Sequence, residues 1–418
     1  MKIGLLDCDM KAGGTRFPNL AQMKMSAYCQ QQLPEADVHL IYSDDELDEL
    51  DSFDLLLVSK VFDFTKLPYQ LKRLAKNLGH NMQELNGSVR DAVEALRTGR
   101  PVFSKLLIGG TGFFADGGRD LDEEVEHMMP DYALYLNWID CRMSAGKPRA
   151  YFLDYLDAAI GYTSRGCFRQ CSFCVNKKYT ACKIASPITE FVDADCKVIF
   201  LLDDNFLALG DDRCEQIINK LNFTGRPFAF RQGLDIRLLN DRNAEMLAKA
   251  HWHKNYTFAF DHIQDKALIE RKLTLWRAHS RKMTRLYVLC GFDNYTDDPK
   301  YALQGTQDEK DLQDLRNTFE RVRILMKYNC MAYIMRYKAY QKSAYAGVYI
   351  QLASWCNQPK FFNRVTFRQY CYAGQSKLNS APSASVRAFN KLEQDAPDIV
   401  ADYADLQFTD LLCKHRKK

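Results

Sequence analysis

The stretch from Phe53 to Val61, with Leu55-Leu56-Leu57-Val58 at its centre, is a short apolar run with few polar interruptions. A strand with one wet face alternates. A strand that is apolar at nearly every position must be covered on both faces, as in a parallel sheet clothed by helices. Its neighbours agree. Lys2 to Leu6, Val38 to Tyr42 and Val102 to Ile108 read as further strands. Asn19 to Leu33 reads as a helix with Leu20, Met23, Ala27 and Cys29 on its apolar side. Residues 65 to 100, rich in Lys, Arg, Asn and Glu, read as an inserted pair of helices. This alternation predicts an α/β fold in which residues 1–150 form a doubly wound parallel sheet, its last strand closed by Gly109-Gly110-Thr111-Gly112.

The alternation then restarts. Ala158 to Ser164, Lys197 to Asp203, Pro227 to Arg231, Tyr256 to Asp261, Arg285 to Gly291 and Met331 to Arg336 read as six strands. Helical patterns lie between them. In Gln307 to Tyr328 the residues Leu312, Leu315, Phe319, Val322 and Leu325 share a face, and Asp212 with Glu215 forms a capping-box-like helix start. Six strand–helix units in series predict a partial (β/α)6 barrel over residues 151–340, with its active site at the carboxyl ends of the strands. Residues 341–418 are dense in aromatics and bases, among them Tyr345, Tyr349, Trp355, Phe361, Phe362, Arg364, Phe367, Arg368, Tyr370 and Tyr372, and read as a small helical cap. The chain ends in Lys414-His415-Arg416-Lys417-Lys418.

A net charge of +4 against 57 basic and 53 acidic side chains lacks the concentrated basic excess of a nucleic-acid binder. The opening Met1-Lys2-Ile3-Gly4-Leu5-Leu6-Asp7 is too soon charged for a secretory leader. No apolar run reaches the roughly 18–20 residues that cross a bilayer. The expectation is a cytoplasmic protein without a membrane partner. In that compartment most of the fourteen cysteines read as buried small hydrophobes, Cys196, Cys290 and Cys330 among them.

Three cysteines differ. Gly166-Cys167-Phe168-Arg169-Gln170-Cys171-Ser172-Phe173-Cys174 places three thiols at spacings of four and three, just after a strand. A loop can wrap three thiolates around one iron–sulfur cube, leaving one iron open to a substrate group; a four-cysteine cluster is closed. A zinc site would want a fourth ligand at a matching offset, and no second Cys-x-x-Cys exists in the chain. The remaining cysteines lack the close pairing of an auxiliary cluster.

This loop resembles the hallmark of the radical S-adenosylmethionine superfamily, Cys-x-x-x-Cys-x-aromatic-Cys, with Phe173 in the aromatic slot. The resemblance covers residues of about 156 to 340. It implies a [4Fe-4S] cluster on Cys167, Cys171 and Cys174 whose open iron binds S-adenosylmethionine. It implies as well a 5′-deoxyadenosyl radical as product of reductive cleavage, and an electron donor such as a flavodoxin or ferredoxin. Asp203, Asp204 and Asn205, within Leu202-Asp203-Asp204-Asn205-Phe206, look like the element that receives the cosubstrate's ammonium; an ordinary helix-capping cluster is the alternative. Gln232 and Asp235, in Gln232-Gly233-Leu234-Asp235-Ile236-Arg237, are candidates for ribose or substrate, or else Asp235 forms a surface pair with Arg237. Gly291 ends the fifth strand, where a small residue lets backbone approach adenine, and Arg336 ends the sixth.

The first domain resembles the Rossmann-like cobalamin-binding domain fused to one branch of that superfamily. The branch carries Asp-x-His-x-x-Gly, Ser-x-Leu and Gly-Gly. The matching positions here are Asp9-Met10-Lys11-Ala12-Gly13-Gly14, Ser59-Lys60-Val61 and Gly109-Gly110. Lys11 stands where the family's cobalt-ligating His would be, and an ammonium has no lone pair to give a metal. Two outcomes follow: cobalamin bound without a protein ligand, or a domain that has lost the cofactor and serves as lid or platform. The overall order looks like a group of single-chain bacterial and phage members of the superfamily. That likeness rests on Phe17-Pro18-Asn19-Leu20-Ala21, Met129-Pro130-Asp131-Tyr132 and Trp355-Cys356-Asn357-Gln358-Pro359 beside the motifs above. It supplies a fold and a cofactor and no substrate.

Three functions stay open. The first is a radical enzyme, methyltransferase or oxidoreductase, on an unidentified substrate. The second modifies nucleic acid, with the aromatic and basic end stacking bases; packing of those aromatics as a cap is the favoured reading. The third is a non-catalytic iron–sulfur or zinc protein.

Overall fold

The computed structural model describes residues 1–13, 17–81, 83–373 and 381–408. Gly14 of the first-domain motif and the basic stretch 414–418 lie outside the described residues. The chain divides into two compact units, Met1–Asp204 with Thr224–Phe228, and Asn205–Phe223 with Ala229–Lys418. This cut falls inside the second strand series.

In the first unit, β1 (Lys2–Asp7), β2 (Asp37–Leu40), β3 (Leu55–Ser59) and β4 (Leu106–Gly109) form a parallel sheet in the order β2-β1-β3-β4. As the apolar run requires, β3 is buried along its whole length. Ile3, Leu5, Leu55, Leu57 and Leu107 enter one core; Leu6, Leu56, Val58, Leu106 and Ile108 enter the other. β4 starts four residues later than the apolar pattern predicts, because Pro101 to Lys105 lead into the sheet as irregular chain. The expected helix is present as Leu20–Gln32, capped by the Asn19 side chain. The inserted pair is present as Tyr69–Leu78 and Val89–Arg97.

The first of the six later strands is shorter than predicted. β5 (Ala158–Gly161) stops before the turn, and β6 (Ser164–Arg165) is a separate piece, antiparallel to β7 (Lys183–Ile184). β5 pairs in parallel with β8 (Val198–Leu201), and β9 (Phe228–Phe230) follows on its other side. Thus the cysteine loop lies between the two strands of a small hairpin instead of directly on a barrel strand.

The second unit holds a parallel sheet of β10 (Tyr256–Ala259), β11 (Thr284–Cys290) and β12 (Cys330–Arg336). Leu234 adds a parallel bridge to Phe258. The helix Asp211–Phe223 begins one residue before the expected cap; Asp212 and Glu215 both bind Arg242, at 2.7 and 2.6 Å, so they form no capping box. The helix Gln307–Lys327 buries Leu315, Phe319, Val322 and Leu325 as predicted, but also a polar side of Asp311, Asp314, Asn317, Thr318 and Arg321. Its capping box is built by Thr306 and Glu309.

The carboxyl-terminal part is helical, with Ala346–Cys356, Ala384–Asp395 and Pro397–Tyr403 as its main elements. Tyr345, Tyr349, Trp355, Phe362 and Phe367 are buried, and Arg368 is paired with Glu393 and Asp405. Asn357 works as an extra piece of strand, its side chain accepting from the Ile334 N–H (2.7 Å) and donating to the Ile334 carbonyl (3.1 Å). No helix among the described residues is long and apolar enough to cross a membrane.

The fully buried Arg321 joins the long helix to the end of β10. Its guanidinium donates to the Phe260 carbonyl (3.2 Å), the Asp261 carbonyl and Thr318 Oγ1 (3.0 Å). Arg321→Leu keeps bulk but leaves two carbonyls without this donor, each worth about 1–3 kcal/mol. A urea melt should show that loss, and an unchanged midpoint would mean the carbonyls find other donors.

Candidate metal centre

The cysteine loop is held from both ends by carboxylates that follow β8. Asp203 is buried, and both its oxygens are engaged. Oδ1 accepts from the Thr163 N–H (3.0 Å), while Oδ2 accepts from Thr163 Oγ1 and Ser164 Oγ (2.6 Å each). Burial pushes its carboxyl up to about 6, against the downward pull of these donors. Asp203 therefore joins β8 to the hairpin, with both its oxygens engaged by Thr163 and Ser164. Asp204 spans the loop. Its Oδ2 accepts from the Gly166 N–H (2.8 Å), just before Cys167, and its Oδ1 from Asn176 Nδ2 (2.6 Å), just after Cys174.

Gly166 sits at φ +93°, and a Cβ there would meet the Ala181 carbonyl oxygen at 2.2 Å. Only glycine allows the chain to turn out of the hairpin so close to its partner strand. Beyond it, backbone donors point at two of the three sulfurs: the Arg169 N–H at Cys167 Sγ (3.3 Å) and the Asn176 N–H at Cys174 Sγ (3.4 Å). The Cys174 N–H closes a turn on the Cys171 carbonyl (3.0 Å). All three cysteines are partly accessible, as is Phe173.

This donor set fits an iron–sulfur cube. The thiols come from one loop, and N–H groups directed at sulfur stabilise thiolate and tune cluster potential. Among the described residues no three His, Cys, Asp or Glu side chains converge on a point where a single ion would sit. A cube asks for a different arrangement, one thiolate on each of three irons.

Within the same unit Arg165, one residue before Gly166, lies over the Tyr162 ring (4.0 Å) and pairs with Glu126 (3.3 Å). Glu126 also takes the buried Lys24 ammonium at 2.8 Å. Lys178 binds Asp120 and the Gly118 carbonyl (3.2 Å). Sequence reasoning missed Asn176, Arg165 and Glu126. Asn176 and Arg165 each lie two positions from the nearest cysteine, which is the signal that could have found them; Glu126 had none.

The other candidates lie in the second unit. Asn205 is buried, and its carbonyl accepts from the Ala208 N–H at the start of a short turn of helix. Gln232 is exposed. Asp235 forms an ion pair with Arg237 at 2.7 Å, two residues away. Gly291 donates its N–H to Asp314 (2.8 Å), and a Cβ on it would meet Tyr340 Cβ at 2.7 Å, so its smallness serves the chain's own packing. Arg336 is exposed and bonds Tyr340 Oη at 3.0 Å.

At the carboxyl edge of the first sheet, the residues do not fit a cobalamin held through its cobalt. The Lys11 ammonium binds the Tyr42 carbonyl (2.9 Å) and Asp44 (2.7 Å). Asp9 accepts from the Val61 N–H (2.6 Å), the Phe62 N–H (3.4 Å) and Thr65 Oγ1, so it holds the loop after β3. Ser59 accepts from Asn19 Nδ2 (3.0 Å). Between the ends of β1 and β3, where an open parallel sheet binds its ligand, the buried Gln22 amide bridges the Leu6 and Leu57 carbonyls (3.3 and 3.0 Å). A Cβ on Gly110 would meet the Lys60 carbonyl oxygen at 2.4 Å, whereas Gly109 has open space.

No protein-family model matches the chain, and neither does any curated protein. Solved structures do match, among them two radical S-adenosylmethionine enzymes determined with cobalamin bound. TsrM, a radical S-adenosylmethionine methyltransferase from Kitasatospora setae with cobalamin and a [4Fe-4S] cluster bound, aligns at TM-score 0.45 and 14% identity, over 80% of this chain and 74% of TsrM. The same enzyme with tryptophan and a S-adenosylmethionine analogue bound gives 0.44 and 13%, over 80% and 72%. OxsB, with aqua-cobalamin and S-adenosylmethionine bound, gives 0.40 and 13%, over 96% of this chain and 56% of OxsB. The chain therefore spans little more than half of OxsB.

Two outcomes are expected. Asp203 is raised in the folded state, so its contribution to stability is full below the unfolded value near 4 and is lost as pH rises through about 6. In urea melts of the iron-free chain, stability relative to Asp203→Asn should fall between about pH 4 and pH 7, by at most about 3 kcal/mol. A difference that does not change with pH would mean the carboxyl is ionised throughout. Chain purified with hydroxocobalamin should keep no corrin band in its visible spectrum; a retained band at one corrin per chain would show that the sheet edge opens.

Proposed function

We propose that this chain holds a [4Fe-4S] cluster on Cys167, Cys171 and Cys174 and uses it to cleave S-adenosylmethionine reductively, acting as a radical enzyme. The observation that carries this reading is the loop itself: three thiols in eight residues, two of them receiving backbone N–H donors, closed at both ends by one carboxylate. When bound and reduced, the cluster supplies the electron that breaks the carbon–sulfur bond, giving methionine and a 5′-deoxyadenosyl radical that takes hydrogen from substrate. The protein's share is to orient and to exclude water. Asp203 and Asp204 hold the loop, and the Arg165–Glu126–Lys24 set ties it to the body of its unit. Phe173, between the second and third cysteines, offers an apolar surface beside the thiols.

The six strands β5, β8, β9, β10, β11 and β12 are read as a partial barrel over residues 151–340, with 1–150 as a Rossmann-like domain and 341–418 as its helical cap. That reading is supported by their order, their parallel pairing and the helices between them. The first domain is read as a platform, since Lys11, Ser59 and Gly110 are engaged by the chain itself. Cobalamin-dependent methyl transfer is accordingly the lesser reading. Base stacking at the carboxyl end is disfavoured by the burial of Tyr349, Trp355, Phe362 and Phe367.

Anaerobic reconstitution with iron and sulfide tests the proposal. About four irons per chain, and 5′-deoxyadenosine and methionine formed after reduction with S-adenosylmethionine present, are expected. Cys171→Ala should lose at least half of the iron and nearly all cleavage. Full iron without cleavage would leave a structural cluster, and one zinc in place of iron would leave a zinc protein; either result removes the enzymatic reading.

A further inference from the structure

We propose that Asp204 is a positioning residue for the cluster, one carboxylate that closes both ends of the cysteine loop and holds the cluster's reduction potential low. The inference rests on the cluster reading above and goes beyond it by assigning the electrostatic control of that site.

The geometry begins with the neighbour. Asp203 is locked by three donors from Thr163 and Ser164, so the backbone from which Asp204 projects is fixed. Asp204 then accepts from Gly166 on one side of the loop and from Asn176 on the other. Gly166 precedes the first ligand, and the Asn176 N–H donates to the sulfur of the third. The carboxylate thus bonds the residue before Cys167 and a residue whose own N–H donates to Cys174 Sγ. An ionised carboxylate offers acceptor oxygens on both sides; an Asn offers one and presents an NH2 group to the other donor.

The charge matters as much as the shape. Reduction adds an electron to the cluster, and a fixed negative charge nearby opposes it. Two of the basic side chains near the loop are paired with other carboxylates, Arg165 with Glu126 and Lys178 with Asp120.

The experiment is reconstitution of the full chain without oxygen, then redox titration followed by electron paramagnetic resonance, for wild type, D204N and D204E. D204E is expected to hold iron as wild type does, and D204N to hold enough of it to titrate. The D204N midpoint should rise by about 59 mV or more, a tenfold change in a one-electron equilibrium, and D204E should return toward wild type. Equal midpoints in wild type and D204N would overturn the inference and leave the cluster reading intact. Iron lost from D204N at an unchanged melting temperature, and regained in D204E, supports the clamp. Iron lost from both variants with a lowered melting temperature overturns it, because Asp204 would then serve the fold alone. A wild-type chain that takes up no iron overturns the cluster reading, and this inference with it.

Discussion

The Asp203–Asp204 pair at the end of β8 is the constraint on which the cysteine loop depends. A loop that must offer three thiols to one cube gains nothing from regular structure, since a helix or strand would point them apart. Its shape has to be imposed from outside. Asp203, sealed among Thr163 and Ser164, does this from below, and Asp204 does it at the rim. Burying one of two adjacent carboxylates is costly unless it is well hydrogen-bonded. Three donors on Asp203 meet that condition.

Much of this arrangement was legible in the residues. Both-face burial of β3 followed from the absence of alternation in Leu55-Leu56-Leu57-Val58, and the helix from Leu20 followed from its apolar periodicity. The cysteine spacing located the loop. What the sequence did not disclose were the partners. Nothing local tells whether a carboxylate faces a ligand or a neighbouring N–H, so Asp203 and Asp204 read from sequence either as cosubstrate groups or as a capping cluster, and their bonds to Thr163, Ser164, Gly166 and Asn176 are not legible. Asp235 beside Arg237 and Asp212 beside Glu215 show the same ambiguity. Glu126, distant in sequence from Arg165, left no trace in spacing.

Strand ends were the other weak point. Periodicity carried the first strand of the second series through Ser164, yet Tyr162 and Thr163 break it, because Asp203 draws the Thr163 backbone N–H out of the sheet ladder. Hydrophobic pattern reports which side chains are buried and is silent about where a side chain captures a backbone donor. The aromatic residues near the carboxyl end illustrate the converse: Trp355 and Phe367 look like a binding surface when listed together, but their spacing along short helices turns them inward against one another.

The close seating of Gly110 on the Lys60 carbonyl bears on what a single substitution can achieve at this sheet edge. A single exchange of Lys11 for histidine would supply a nitrogen donor while leaving the neighbouring crevice packed with the chain's own loop, whose amides are pinned by Asp9. Seating a bulky ligand at this edge would require both loops to shift together. On the platform reading proposed above, packing around Lys60 and Gly110, more than the residue at position 11, sets what the edge can accept.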